Sequence, residues 1–109
     1  MKINETQLSL VRAELHRILD FGTPLYKDKL AGLDPDTITT AEAFTALPFT
    51  EKADLRDVYP LGVQAVPDEE IVRIHSSSGT TGTPIIIPYT KRDVDDWSEM
   101  FARCYRVAG

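Results

Sequence analysis

Apolar positions near the start of the chain recur three or four residues apart: Leu8, Val11, Leu15, Ile18 and Leu19. That spacing gathers them on one side of an α-helix and predicts a helix from just after Asn4 to about Phe21. Gly22 and Pro24 close it. A short helix over residues 26–31 is expected to end at Gly32. Thr39 and Glu42 stand three apart, which suits a capping box ahead of the apolar pair Phe44 and Leu47. Pro48 stops that segment. Thr50 is placed to cap the next helix, which carries Leu55 and gives out near Tyr59, Pro60, Leu61 and Gly62.

The pattern then changes. Ile71, Val72, Arg73, Ile74 and His75 read as a strand, as does the run Ile85, Ile86 and Ile87 held between Pro84 and Pro88. Thr90 caps a long helix, with Asp93 completing the capping box. The apolar face of this helix reads Val94, Trp97, Phe101, Cys104 or Tyr105, and Ala108. The expected fold is α/β. A mainly helical segment over residues 1–66 is followed, over 67–109, by strand, glycine-rich loop, strand and helix. That layout begins a sheet and leaves it incomplete, as in a piece of a larger domain. Unpaired strand edges of this kind favour pairing with another copy, so a homo-oligomer is expected.

Composition narrows the class. With 42% hydrophobic and 27% charged residues, the chain has a globular balance. A net charge of −5 offers no electrostatic footprint for nucleic acid. The single cysteine, Cys104, excludes an internal disulfide, and with only His16 and His75 beside it a conventional structural zinc site lacks ligands. The first residues lack the apolar core of a signal peptide. No apolar run approaches the roughly 20 residues that span a bilayer. The expectation is a cytoplasmic protein with neither nucleic acid nor membrane as partner.

Candidate chemistry concentrates in Ser76, Ser77, Ser78, Gly79, Thr80, Thr81, Gly82 and Thr83. Glycine can adopt positive φ and lets an anion approach the backbone closely. Successive N–H groups in such a turn form a concave site for phosphate oxygens, and the hydroxyls add adaptable donors. This is not a Walker A loop, which needs Gly-Lys-Ser/Thr leading into a helix; here Gly82, Thr83 and Pro84 lead into a strand. On local composition alone, a polar hairpin connection explains the cluster equally well.

The flanks add specificity. The run from Arg73 and His75 through Ser76 to Thr83 and Pro84 resembles the phosphate-binding signature of the phenylacetate–CoA ligase family. Upstream, Leu47, Pro48, Phe49, Thr50, Lys52, Asp54, Leu55, Arg56, Tyr59 and Pro60 are similar to that family's preceding segment. Downstream, Tyr89, Thr90, Asp93, Trp97, Ala102, Arg103, Ala108 and Gly109 follow its strand and helix. The resemblance runs in register from near Leu47 onward and implies the N-terminal portion of an ATP-dependent, AMP-forming enzyme. It implies that residues 67–109 open the AMP-binding region and that Ser76 through Thr83 hold the β- and γ-phosphates. It further implies ATP, Mg2+ and coenzyme A as cofactors of the complete enzyme, with a nucleotide and an aryl carboxylate as its partners. A deazaflavin-cofactor adenylyltransferase of the same superfamily is the nearest alternative, and a non-catalytic self-association module the alternative of another class.

Two departures from the family pattern matter. Thr83 stands where the family usually has lysine, which removes a cation beside the phosphates. The family's later adenine, ribose and magnesium-binding segments, its carboxylate pocket and its mobile-domain lysine have no counterpart in these residues. No catalytic residue is therefore assigned, and the 109 residues alone are expected to be inactive. Elsewhere, His75 is expected to end its strand with a satisfied hydrogen bond, although contact with a phosphate is the sharper option. Trp97, Phe101 and Tyr105 are expected to be core, and Cys104 a small buried apolar residue. Lys91 and Arg92, His16, and the acidic groups Asp68, Glu69, Glu70, Asp95 and Asp96 read as solvated surface.

Overall fold

The computed structural model describes residues 1–78 and 82–109. Its contacts divide the chain into two units, Met1–Asp54 and Leu55–Gly109.

In the first unit, α1 (Glu5–Phe21) starts on a reciprocal cap. The Asn4 side chain accepts from the Gln7 amide at 2.8 Å, and the Gln7 side chain accepts from the Asn4 amide at 3.0 Å. Two of the donors that every helix start leaves over are thereby satisfied. Gly22 ends the helix, donating to the Ile18 carbonyl at 2.7 Å. A Cβ at this position would lie 2.4 Å from that same oxygen, so the tight exit needs glycine. Next comes α2 (Pro24–Lys29), which starts earlier than its apolar pattern suggests because Pro24 presets the first helical turn. A 3-10 turn follows at Pro35–Thr37.

The short helix α3 (Ala41–Thr45) is capped by Thr40, not Thr39. The Thr40 hydroxyl accepts from the Ala43 amide at 3.1 Å. Thr39 still belongs to the preceding turn, donating its amide to the Thr37 carbonyl at 3.0 Å. The helix therefore starts one residue later and Glu42 cannot complete a capping box. A similar shift affects α4 (Lys52–Asp57), which begins after Glu51 and not after Thr50. The Asp54 carboxylate accepts from the Glu51 amide at 2.8 Å and faces the Lys29 ammonium at 2.9 Å.

Leu8, Leu15, Leu30 and Ile38 form the buried core of this unit, with Val11, Ile18, Leu19, Phe44 and Leu47 packed around it. The stripe that identifies α1 in the sequence is thus the stripe that packs. Arg12 ties the helix to the 3-10 turn region through the Ile38 carbonyl at 2.8 Å. His16 lies at the solvated surface and has a partner there, its Nε2 standing 2.8 Å from Asp36 Oδ1.

The second unit is built differently. A 3-10 turn at Asp68–Glu70 leads into β1 (Ile71–Ser76), which pairs antiparallel with β2 (Ile86–Thr90). Arg73 faces Tyr89, Ile74 faces Pro88, His75 faces Ile87 and Ser76 faces Ile86, with a bulge between Ile71 and Arg73. Pro88 lies inside β2 and does not terminate it, so the strand runs later than the expected 85–87. A two-stranded sheet has only edge strands, where proline is tolerated. The strand passes directly into α5 (Lys91–Ala108) through the expected cap. Thr90 Oγ1 accepts from the Asp93 amide at 3.2 Å, and Asp93 accepts from the Thr90 amide at 2.9 Å.

No described residue of the second unit is fully buried. Trp97 is 39% exposed, Phe101 and Tyr105 more so, and Cys104 is exposed as well. The stripe along α5 is therefore not a closed core. Its periodicity is correct, but two strands are too small a surface to cover an 18-residue helix. Among the described residues, no helix is long and apolar enough to cross a membrane.

Candidate functional site

The candidate loop joins the ends of β1 and β2, so the strand register fixes where its two arms leave the sheet. Ser76 is the last residue of β1, opposite Ile86. One step outward, Ser77 and Ile85 exchange two hydrogen bonds. The Ser77 amide donates to the Ile85 carbonyl at 2.9 Å, and the Ile85 amide donates to Ser77 Oγ at 2.8 Å. A side chain thus replaces a carbonyl as acceptor just beyond the last strand pair. Serine can do this because its hydroxyl reaches a neighbouring backbone N–H with little loss of rotamer freedom.

Beyond that clasp, Ser78, Gly82 and Thr83 are exposed. Gly82 takes φ +119°, and a Cβ built there would meet nothing within 4 Å. Its glycine is thus required by backbone conformation and not by crowding, as expected for a turn that presents its backbone outward. Gly79, Thr80 and Thr81 lie outside the described residues. Among the described loop residues none is a cation. These described residues would offer an anion hydroxyl and amide dipoles.

Behind the loop stands a cluster of rings. His75 lies 4.7 Å from Tyr89 and 5.2 Å from Trp97, centroid to centroid, and Trp97 also stacks on Tyr89 and meets Phe101 edge-on. His75 and its cross-strand partner Ile87 share a sheet face with Arg73 and Tyr89, and α5 lies against that face. His75 is therefore held by aromatic packing, where a strand-end hydrogen bond was expected. Lys91 and Arg92 are engaged with Asp95 at 2.9 Å and Asp96 at 3.9 Å along the exposed side of α5. Both behave as the solvated surface expected of them.

His16, Asp54 and Glu99 are displaced from their ordinary values by the ion pairs and hydrogen bonds around them. The Asp36 hydrogen bond raises His16. The Glu51 amide, then Lys29, lowers Asp54. Arg103, then Arg106, lowers Glu99. None touches the loop. Among the described residues no group of three or more His, Cys, Asp or Glu could hold a metal ion. In the first unit an open groove of about 450 Å³ is lined by Leu30, Leu33, Ile38, Ala43, Leu47 and Pro48, and it contains none of the loop residues.

The Ser77–Ile85 clasp is what the sequence conceals. Its partners are eight residues apart in a run with many hydroxyls, and nothing in the composition marks Ser77 among them.

Comparisons with known proteins show what the chain as a whole is similar to. No protein-family model matches the chain. A phenylacetate-coenzyme A ligase from Pseudomonas putida is 45% identical over 98% of the chain and 25% of its own length. Ligases of the same name from Escherichia coli and Thermus thermophilus are 47% and 48% identical over 79% of the chain and 20% of their own lengths. A crystal structure of 2-hydroxyisobutyryl-CoA ligase, in complex with 2-HIB-AMP and CoA, matches 79% of the chain and 20% of that protein, with 31% identity and a TM-score of 0.69. The chain spans a fifth to a quarter of the length of these relatives. By sequence the chain belongs to the phenylacetate–CoA ligase family, of which it matches an N-terminal portion.

Proposed function

We propose that these residues form the phosphate-holding segment of an aryl-carboxylate–CoA ligase. In the complete enzyme, a carboxylate oxygen of a substrate such as phenylacetate attacks the α-phosphorus of ATP and pyrophosphate leaves. The sulfur of coenzyme A then attacks the acyl carbon and AMP leaves, giving the acyl-CoA. Ser76 through Thr83 would hold the β- and γ-phosphates in the first step through hydroxyl and backbone N–H donors. Mg2+ would neutralise part of the phosphate charge, on ligands outside this segment.

One observation carries the reading: a hydroxyl-rich loop whose arms are fixed by an antiparallel strand pair, with Gly82 at φ +119° beside open space. The residues fit a phosphate by donor type and by accessibility. Groups that activate the carboxylate belong to the part of the relatives' length that this chain does not span. We infer that the 109 residues alone release no pyrophosphate from ATP and phenylacetate. Titration with pyrophosphate tests the loop directly, followed through the backbone amide of Gly82. A saturable shift at millimolar concentration supports the reading, and an unmoved resonance rejects it.

A second reading, self-association, has its own observation. Val72 and Ile74 on β1 are 60% and 57% exposed, and Ile74 with Pro88 occupies the sheet face opposite α5. An exposed apolar strand at a sheet edge invites pairing with another copy. Sedimentation at high micromolar concentration separates the two: a dimer that Ile74→Lys disperses supports this role, and a clean monomer removes it.

A further inference from the structure

We propose that a second copy of this chain adds to the outer edge of β1, antiparallel and strand to strand, and that Pro88 closes the outer edge of β2. The inference rests on the self-association reading above and deepens it by assigning the edge and the mode of pairing. The hydrogen-bond parity of the sheet carries it. The Ser77 amide donates to the Ile85 carbonyl at 2.9 Å, one step beyond the pair Ser76 and Ile86. In an antiparallel pair, residues that exchange bonds alternate with residues whose N–H and C=O point away from the neighbouring strand. Ser77, His75 and Arg73 thus belong to the inward set. Ile74 and Ser76 point their backbone groups outward from β1, and Ile86 and Pro88 do so from β2.

The two edges are not equivalent. Proline has no N–H, so the outer edge of β2 keeps Ile86 as its donor and loses the next one. The outer edge of β1 presents a donor and an acceptor at both Ile74 and Ser76, beside the exposed side chains of Val72 and Ile74. Such an edge is a template for an added strand. The bulge between Ile71 and Arg73 interrupts the ladder at one end, which confines the pairing to residues 74–76. About a two-fold axis, Ile74 of each copy then faces the partner's Ser76, and both pairs exchange N–H to C=O bonds. Because each copy uses the same edge, the assembly closes as a dimer. The axis stands perpendicular to the sheet and keeps both copies of α5 on one face. Four strands span about 19 Å, wide enough for two helices of about 10 Å side by side. The exposed apolar residues of α5, Met100 and Phe101 among them, then share a wider surface.

So short an edge buries well under the roughly 1,200 Å² of a standard interface, so the dimer should form at high micromolar concentration and dissociate on dilution. Hydrogen exchange in the full 109-residue chain reads the edge directly. Between dilute and high micromolar samples, the amides of Ile74 and Ser76 should slow roughly fivefold, the protection expected of one hydrogen bond. The Ile86 amide should not change. Pro88→Val restores the donor on β2, and sedimentation should then show species larger than the dimer, because both edges can pair. A dimer in which Ile74 and Ser76 exchange as fast as in the monomer overturns the inference and leaves self-association standing through another surface. A Pro88→Val chain that stays dimeric overturns the role given to Pro88. A clean monomer at high micromolar concentration removes the self-association reading itself, and the edge assignment with it.

Discussion

The imidazole of His75 meets the indole of Trp97 edge to face, with ring centroids 5.2 Å apart. This contact joins the last part of β1 to the middle of α5, directly before the candidate loop begins at Ser76. With Tyr89 and Phe101 it makes four ring pairs, three of which include Trp97. In a unit without a fully buried residue among those described, these rings stand in for a core.

Trp97→Ala should therefore cost more than a partly exposed side chain usually does. Each aromatic pair contributes about 0.5–1.5 kcal/mol beyond area burial, so the loss of three pairs should destabilise the second unit by roughly 2–3 kcal/mol. Trp97→Phe should recover part of it. Urea unfolding followed by far-ultraviolet circular dichroism measures this. A Trp97→Ala midpoint equal to the unsubstituted one would show that the cluster holds nothing together.

Thr23 makes the opposite case. Its hydroxyl oxygen is buried and has no hydrogen-bond partner among the described residues, and it caps α2 without a side-chain bond. A buried unpaired hydroxyl costs about 1–3 kcal/mol. Thr23→Val keeps the shape and removes the polar group, so thermal stability should stay level or rise. A fall in melting temperature would mean that the hydroxyl has a partner in solution.

Two ion pairs predict a pH dependence. Asp54 is held below its ordinary value of 3.8 by the Glu51 amide and then by Lys29. Its contribution is fully present above 3.8 and is lost as pH falls through the lower folded value. His16 is raised above 6.5, chiefly by its hydrogen bond to Asp36. Its contribution is fully present below 6.5 and is lost as pH rises through the higher folded value. The His16–Asp36 pair is open to solvent and the Lys29–Asp54 pair partly so, which keeps each effect small. His16→Gln should flatten the alkaline side of the stability profile and Asp54→Asn the acid side. Chemical denaturation across the pH range reads both.

Most of the helical segment is legible in the sequence because a 3.6-residue period and its caps are local signals. The stripe Leu8, Val11, Leu15 and Ile18 sets α1, and Thr90 with Asp93 sets the start of α5. The caps of α3 and α4 fall one residue late because a preceding turn uses Thr39 and because Asp54 selects Glu51. Neither competition leaves a mark in composition. Burial is less legible. The face of Trp97, Phe101 and Tyr105 has the pattern of a core, but pattern says only which side is apolar and not whether anything covers it. At the site, Gly82 and the hydroxyls announce a turn suited to anions, whereas the Ser77–Ile85 clasp needs the strand pairing that brings the two residues together.

Thr83 gives a direct test of the loop's electrostatics. Lysine at this exposed position would add a cation near a bound phosphate. At about 4 Å in high dielectric, one such pair is worth about 1 kcal/mol, or roughly fivefold in affinity. Thr83→Lys should tighten pyrophosphate binding by about that factor at low salt, with the gain shrinking toward about 0.15 M as screening sets in. Equal affinities of the two proteins at low salt would mean that no phosphate approaches residue 83.

A chimera reads whether these residues can serve as a portion of a CoA ligase. The 109 residues replace the matching quarter of the Pseudomonas putida phenylacetate-coenzyme A ligase, to which they are 45% identical. Formation of phenylacetyl-CoA from phenylacetate, ATP and coenzyme A is then measured, with Thr83 and with Thr83→Lys. The chimera should make the thioester, and the lysine variant should make it faster at low ATP. A folded chimera that makes none, with either residue at position 83, would show that these residues do not support the ligase reaction.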